Sequence, residues 1–157
     1  MIKIGEKIPP IKIKDDQDNL VNFDSFLGKY IVLYAYPKNN TPGCTAEACS
    51  FRDNSSAITA QGALIFGISP DSVASHQKFI EKHSLNFTLL SDPDHELLEA
   101  LGAWGEKMSF GKKRMGVIRS TYLFDPEGKL IKTWPKVSPQ EHGQEIAAYL
   151  EEIKGKQ

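Results

Sequence analysis

No stretch of this sequence is apolar for long enough to cross a bilayer; runs such as Ile31–Tyr36 (IVLYAY) fall far short of the roughly twenty residues a spanning helix needs. Charge of one sign is missing too. Nineteen Lys and Arg stand against twenty Asp and Glu, a net charge of −1, so neither a nucleic acid nor an anionic membrane is an expected partner. The opening residues, MIKIGEKIPP, interleave Lys and Glu with apolar positions and hold no secretion-type apolar core. These absences lead to the expectation of a soluble, cytoplasmic protein. At 40% hydrophobic and 25% charged residues the composition excludes a disordered chain, and 157 residues suit one domain spanning 1–157. Cysteine is scarce, with Cys44 and Cys49 only. In a reducing compartment such a pair makes a transient, catalytic disulfide more readily than a permanent staple. No CxxC, GxGxxG, P-loop or GxSxG occurs.

What is present reads as alternating strands and helices. PPIKIKD and LVNF flank the turn DDQDN, which predicts an N-terminal β-hairpin. Tyr30–Pro37 is an unbroken apolar run suited to a central strand covered on both faces. A helix follows to about Ala60, then a buried strand over Gly62–Ser69. Ser69 with Pro70, and Ser138 with Pro139, look like N-cap and first helical position of two further helices. FTLLSD reads as a strand, DHELLEALGA as a short helix ending at Gly102, and VIRSTYLFDPEGKLIKTW as a hairpin about DPEG. The order predicts an α/β fold, a central sheet flanked by helices. In such sheets ligand chemistry gathers at the carboxyl ends of strands, where residues 37–44 fall.

Residues 36–53 read YPKNNTPGCTAEACSFRD. Taking Thr41 as N-cap, Pro42, Gly43 and Cys44 fill the first turn of the helix. Cys44 then lies among unpaired backbone N–H groups at the positive end of the helix dipole, which favours thiolate over thiol. A dipole contribution of roughly 0.3–1 kcal/mol is worth less than one pKa unit, so a second positive group is called for. Arg52 lies two turns further along the same helix, and Arg114 sits in the basic loop GKKRMG. Arg119 opens the strand RSTYLFD, which could aim it at the helix start or leave it as a surface cation. Cys44 and Cys49, at i and i+5, have Cα atoms about 8–9 Å apart in a helix and on different faces. A disulfide needs them nearer than roughly 7 Å. Two readings stay open here: Cys49 is a small buried hydrophobe, or the thiols bond after at least one turn unwinds. Zinc is not expected, because the cysteine pair has no second ligand pair and His76, His83, His95 and His142 read as surface or core-edge residues.

PKNNTPGC, with Pro37, Thr41 and Cys44 in place, resembles the P-x-x-x-T-x-x-C signature of the peroxiredoxins. The longer TPGCTAEACSFRD is similar to the Q-type group, also called bacterioferritin comigratory proteins. Agreement continues through GISPDSVASHQKF, LLSDPDHELLEALGAWGEK, GVIRSTYLFDPEGKL and WPKVSPQEHGQEI. The resemblance implies a thioredoxin-like fold and a thiol peroxidase with no metal, haem or other cofactor. It implies that Cys44 is the peroxidatic thiol, reducing hydrogen peroxide and organic hydroperoxides and becoming a sulfenic acid. Thr41 and Arg119 would hold the thiolate and the peroxide, with Gly43 and Cys44 donating backbone N–H groups. Pro37 would shield the pocket, and Glu47 would orient the arginine. Cys49 would be the resolving thiol within the same chain, recycled by thioredoxin or a similar dithiol protein, in a monomer. From a different class, the same cysteines would serve a redox-sensing switch or a holdase-like protein without sustained turnover.

Overall fold

The computed structural model describes residues 2–109 and 111–155. Ile13–Asp15 (β1) and Leu20–Val21 (β2) pair antiparallel as the expected hairpin. The Asp15 carboxylate closes its turn by accepting from the Gln17 and Asn19 N–H groups. After a 3-10 turn at Phe23–Phe26, Tyr30–Ala35 form β3, buried along its whole length. Pro42–Ala60 (α1), Ala63–Ser69 (β4), Val73–His83 (α2), Thr88–Ser91 (β5) and Glu96–Leu101 (α3) follow. The chain continues through Trp104–Ser109 (β6), Lys112–Val117 (β7), Ser120–Phe124 (β8), Leu130–Trp134 (β9) and His142–Gly155 (α4).

Seven strands make one sheet in the order β2-β1-β5-β4-β3-β8-β9, parallel in its β3–β5 centre and antiparallel at both sides. The period of two along β3 explains why an uninterrupted apolar run was needed. Tyr30, Val32 and Tyr34 face a core shared with Phe51 of α1, Phe79 of α2 and Leu150 of α4. Ile31, Leu33 and Ala35 face a second core closed by Leu97, Leu98 and Leu101 of α3. Each fully buried Val, Ile, Leu or Phe among them contributes roughly 1.5–3 kcal/mol. Helices therefore cover both faces, and the fold is a mixed α/β sheet as expected.

Three expectations need correction. Ser69 and Pro70 do not start α2; Ser69 ends β4 and spends its hydroxyl on the Asp71 carboxylate (2.7 Å), while Ser72 caps the helix by accepting from Ser75 N–H (3.1 Å). Ser138 and Pro139 likewise belong to a turn, Glu141 N–H donating to Ser138 O (3.1 Å), and α4 begins at His142. The segment GKKRMG is not a loop. Arg114 lies in β7, paired with Lys107 of β6 in a separate two-stranded sheet. Among the described residues no helix is long and apolar enough to cross a membrane.

Candidate active site

The register of β8 against β3 builds the site. Ser120 pairs with Ala35, so the residue before Ser120 lies beside the carboxyl end of β3, where α1 begins. That residue is Arg119. One end of its guanidinium, Nη2, donates to Cys44 Sγ at 3.1 Å and the other, Nη1, to Glu47 Oε1 at 2.6 Å. Cys44 and Glu47 are i and i+3 on α1 and share a helix face, so one planar fork reaches both. Gly43 gives the guanidinium its room: a Cβ there would stand 3.2 Å from Nη2.

The electrostatics are those of a buried charge cluster. Glu47 is fully buried, and burial raises its carboxyl to about 7 against the opposing pull of Arg119. Its second oxygen, Oε2, has no hydrogen-bond partner among the described residues. Burial lowers the Arg119 pKa, but Glu47 and Cys44 outweigh it and the guanidinium ends above its ordinary value. A fixed cation 3.1 Å from sulfur complements a thiolate and the negative charge of a bound or departing oxygen.

Pro42 starts α1 behind Thr41 and places Cys44 in the first turn. Thr41 is the N-cap by backbone position only. Its hydroxyl donates to Lys38 O at 2.9 Å instead of capping the helix. Pro37 is partly buried in the preceding loop. Cys49 lies two residues beyond Glu47, about half a turn on, partly exposed, and both thiols are free while α1 is intact. Arg52 is engaged elsewhere, with Nη1 donating to His83 O at 2.7 Å.

Two supports were not legible in the sequence. Asn39, in the loop that carries Pro37 and Thr41, takes Tyr36 OH on its Oδ1 (2.6 Å), gives its N–H to Asp71 (2.8 Å) and gives Nδ2 to His76 Nδ1 (3.0 Å). His76 Nε2 must donate to Leu90 O (2.9 Å), which leaves Nδ1 as the acceptor of a neutral ring. Burial, the largest cause, lowers its pKa accordingly. His142 is also fully buried, Nε2 lying 2.7 Å from Thr121 Oγ1, with burial first and Arg119 second lowering its pKa to about 4. Neither is the surface or core-edge residue expected; each is a neutral packing element behind the site. Partners some 20–40 positions apart leave no spacing signal. Among the described residues no three His, Cys, Asp or Glu side chains gather as a metal site.

Residues 4–133 match the model of the AhpC/TSA family. Peroxiredoxin Bcp of Bacillus subtilis is 48% identical over 155 residues, 99% of each chain. Peroxiredoxin Bcp of Escherichia coli K12 is 38% identical over 151 residues, 96% of this chain and 97% of that one. Among solved structures, a bacterioferritin comigratory protein of Xanthomonas campestris, studied for alkyl peroxide reduction, superposes with a TM-score of 0.88 at 32% identity, covering 96% of this chain and 99% of the other. A mutant PrxQ of Xylella fastidiosa reaches 0.92 at 28% identity, covering 98% of both. The thioredoxin-like fold follows from these likenesses. The chain belongs to the AhpC/TSA family and, within it, to the Bcp or Q-type peroxiredoxins, which are peroxidase oxidoreductases.

Proposed function

We propose that the chain reduces hydrogen peroxide and organic hydroperoxides at Cys44 through a two-thiol cycle contained in one chain. The Cys44 thiolate attacks one peroxide oxygen. The S–O bond forms, the O–O bond breaks, and the departing hydroxide or alkoxide takes up a proton to leave as water or alcohol. Arg119 holds sulfur and leaving oxygen together; Thr41 and the Gly43 and Cys44 N–H groups hold the peroxide; Pro37 excludes water; Glu47 fixes the guanidinium. Cys49 then attacks the sulfenic sulfur, the S–S bond forms, and hydroxide leaves as water. Thioredoxin or a similar dithiol protein reduces the resulting disulfide. The working unit is a monomer of one domain, acting in the cytoplasm.

The observation that carries this reading is the guanidinium fork spanning Cys44 Sγ and Glu47 Oε1. Its test is peroxide turnover with thioredoxin, its reductase and NADPH. Cys44→Ser should abolish consumption, and Cys49→Ser should consume one equivalent and then stall. Peptide mapping after one equivalent of peroxide should recover Cys44 linked to Cys49. Retained turnover in Cys44→Ser overturns the assignment, and normal turnover in Cys49→Ser removes Cys49 from the resolving role. Oxidation that stops after a single stoichiometric event in the unmodified protein would instead mark a thiol switch.

A further inference from the structure

We infer that α1 is built in two parts, an opening segment Pro42–Cys49 and a fixed segment Ser50–Ala60, with the N-terminus of α4 as the stop between them. The inference rests on the proposed Cys44–Cys49 disulfide, which an intact helix forbids, and states where the unwinding ends. Among the described residues, the only side-chain bonds that tie Pro42–Cys49 to another element are the two from Arg119, to Cys44 and Glu47. From Ser50 onward the ties multiply. Gly143 N–H, in the first turn of α4, has no acceptor within its own helix, and Ser50 Oγ accepts it at 2.9 Å. The two backbones touch here: a Cβ on Gly143 would overlap the Ser50 carbonyl and stand 2.8 Å from Phe51 N. Within α1 itself, Asn54 Nδ2 holds Ser50 O at 2.8 Å. Phe51 is fully buried, stacked on Tyr34 at 4.5 Å and met edge-on by His142 at 5.5 Å. Arg52 is fastened to His83 O.

Chemistry at Cys44 releases the loose part. A sulfenic acid carries no net charge where the thiolate carried one, so the Arg119 grip on the opening segment weakens as peroxide is consumed. Unwinding then runs from Pro42 and halts at Ser50. Cys49 is left at the cap position just before the shortened helix, with free N–H groups and the positive dipole end beside its sulfur. That position favours its thiolate, the attacking species. Ser50 and Gly143 are thus positioning residues for the disulfide-forming step and take no part in peroxide reduction.

Hydrogen exchange with mass spectrometry on the reduced protein, and on protein oxidised with one equivalent of hydrogen peroxide, tests this. Peptides over 43–49 should lose protection on oxidation while 51–60 and the start of α4 keep theirs. Ser50→Ala should let the loss spread past residue 51 and slow the second, disulfide-forming phase of stopped-flow oxidation severalfold, with the first phase unchanged. Gly143→Ala, should it fold, should do the same. Exposure running to residue 60 in the unsubstituted protein, or a second phase indifferent to Ser50→Ala, overturns the stop alone. Absence of any Cys44–Cys49 peptide overturns the two-thiol reading and this inference with it.

Discussion

Arg119 shows how little of a site can hang on one side chain and how much follows from its shape. Lysine keeps the charge but cannot reach sulfur and carboxylate with one planar group. Arg119→Lys should therefore slow the first, peroxide-consuming phase by about a hundredfold or more, the size associated with losing a fixed donor to a developing anion. A rate within threefold of the unsubstituted protein, measured by stopped flow, would show that charge alone suffices. Arg119→Ala also exposes Glu47, fully buried with one oxygen already unpartnered. Burial raises its carboxyl and Arg119 is what pulls it back to about 7, so in the variant it moves further up and takes a proton instead of remaining a bare charge. Urea unfolding should then show a larger stability loss at about pH 8 than at about pH 6. Equal losses would mean that Glu47 does not titrate in the folded variant. At this scale the sequence placed Cys44 in a first turn, readable from Thr-Pro-Gly, and called for a cation beside it, but spacing alone left Arg119 open as a surface residue. The buried His76 and His142 could not be read, because their partners are remote in the chain.

Elements announced themselves where pattern and chemistry agreed. β3 is legible because a strand buried on both faces has to be continuously apolar, and α1 because Pro42 suits only a first turn. Ser-Pro misled twice because the pair suits a turn as well as a helix start: Ser69 spends its hydroxyl on Asp71, and Ser138 accepts Glu141 N–H on its backbone carbonyl. The β6–β7 hairpin was missed because WGEKMS and KKRMGV lack the β-branched alternation that packing on a core demands. Lys112, Lys113 and Arg114 are exposed, Met108 and Met115 more than half so, and the pair stands apart from the main sheet. At the head of α1, Gly43 is kept for space and not for flexibility. Alanine there raises helix propensity, worth up to ~1 kcal/mol, yet brings a methyl 3.2 Å from Arg119 Nη2. Gly43→Ala should therefore leave thermal stability unchanged or slightly higher while slowing peroxide reduction roughly tenfold or more through the displaced guanidinium. A variant both more stable and fully active would show that the fork tolerates the shift.

Across the whole molecule, two buried groups that both feel the charge of Arg119 make stability depend on pH in opposite directions. Glu47 is raised by burial from 4.5 to about 7, so the folded state holds its proton more tightly than the unfolded one. Its contribution is fully present below about 4.5 and is lost as pH rises through about 7. His142 is lowered, by burial first and Arg119 second, from 6.5 to about 4, so unfolding takes up a proton. Its contribution is present above about 6.5 and is lost as pH falls toward about 4. In the shared window one proton offsets the other, and the pair conceals its own pH dependence. Glu47→Gln should uncover His142: between about pH 4.5 and 6.5 its stability should climb with pH more steeply than that of the parent, by up to about 1.4 kcal/mol per pH unit. His142→Gln should tilt the curve the other way by a similar amount, and the double variant should run parallel to the parent. Urea midpoints taken across the window decide it: parallel curves for either single variant would mean that its group does not titrate differently on unfolding. The two side chains are 95 positions apart and only the fold brings both to one arginine, which is why nothing in their spacing announced the compensation.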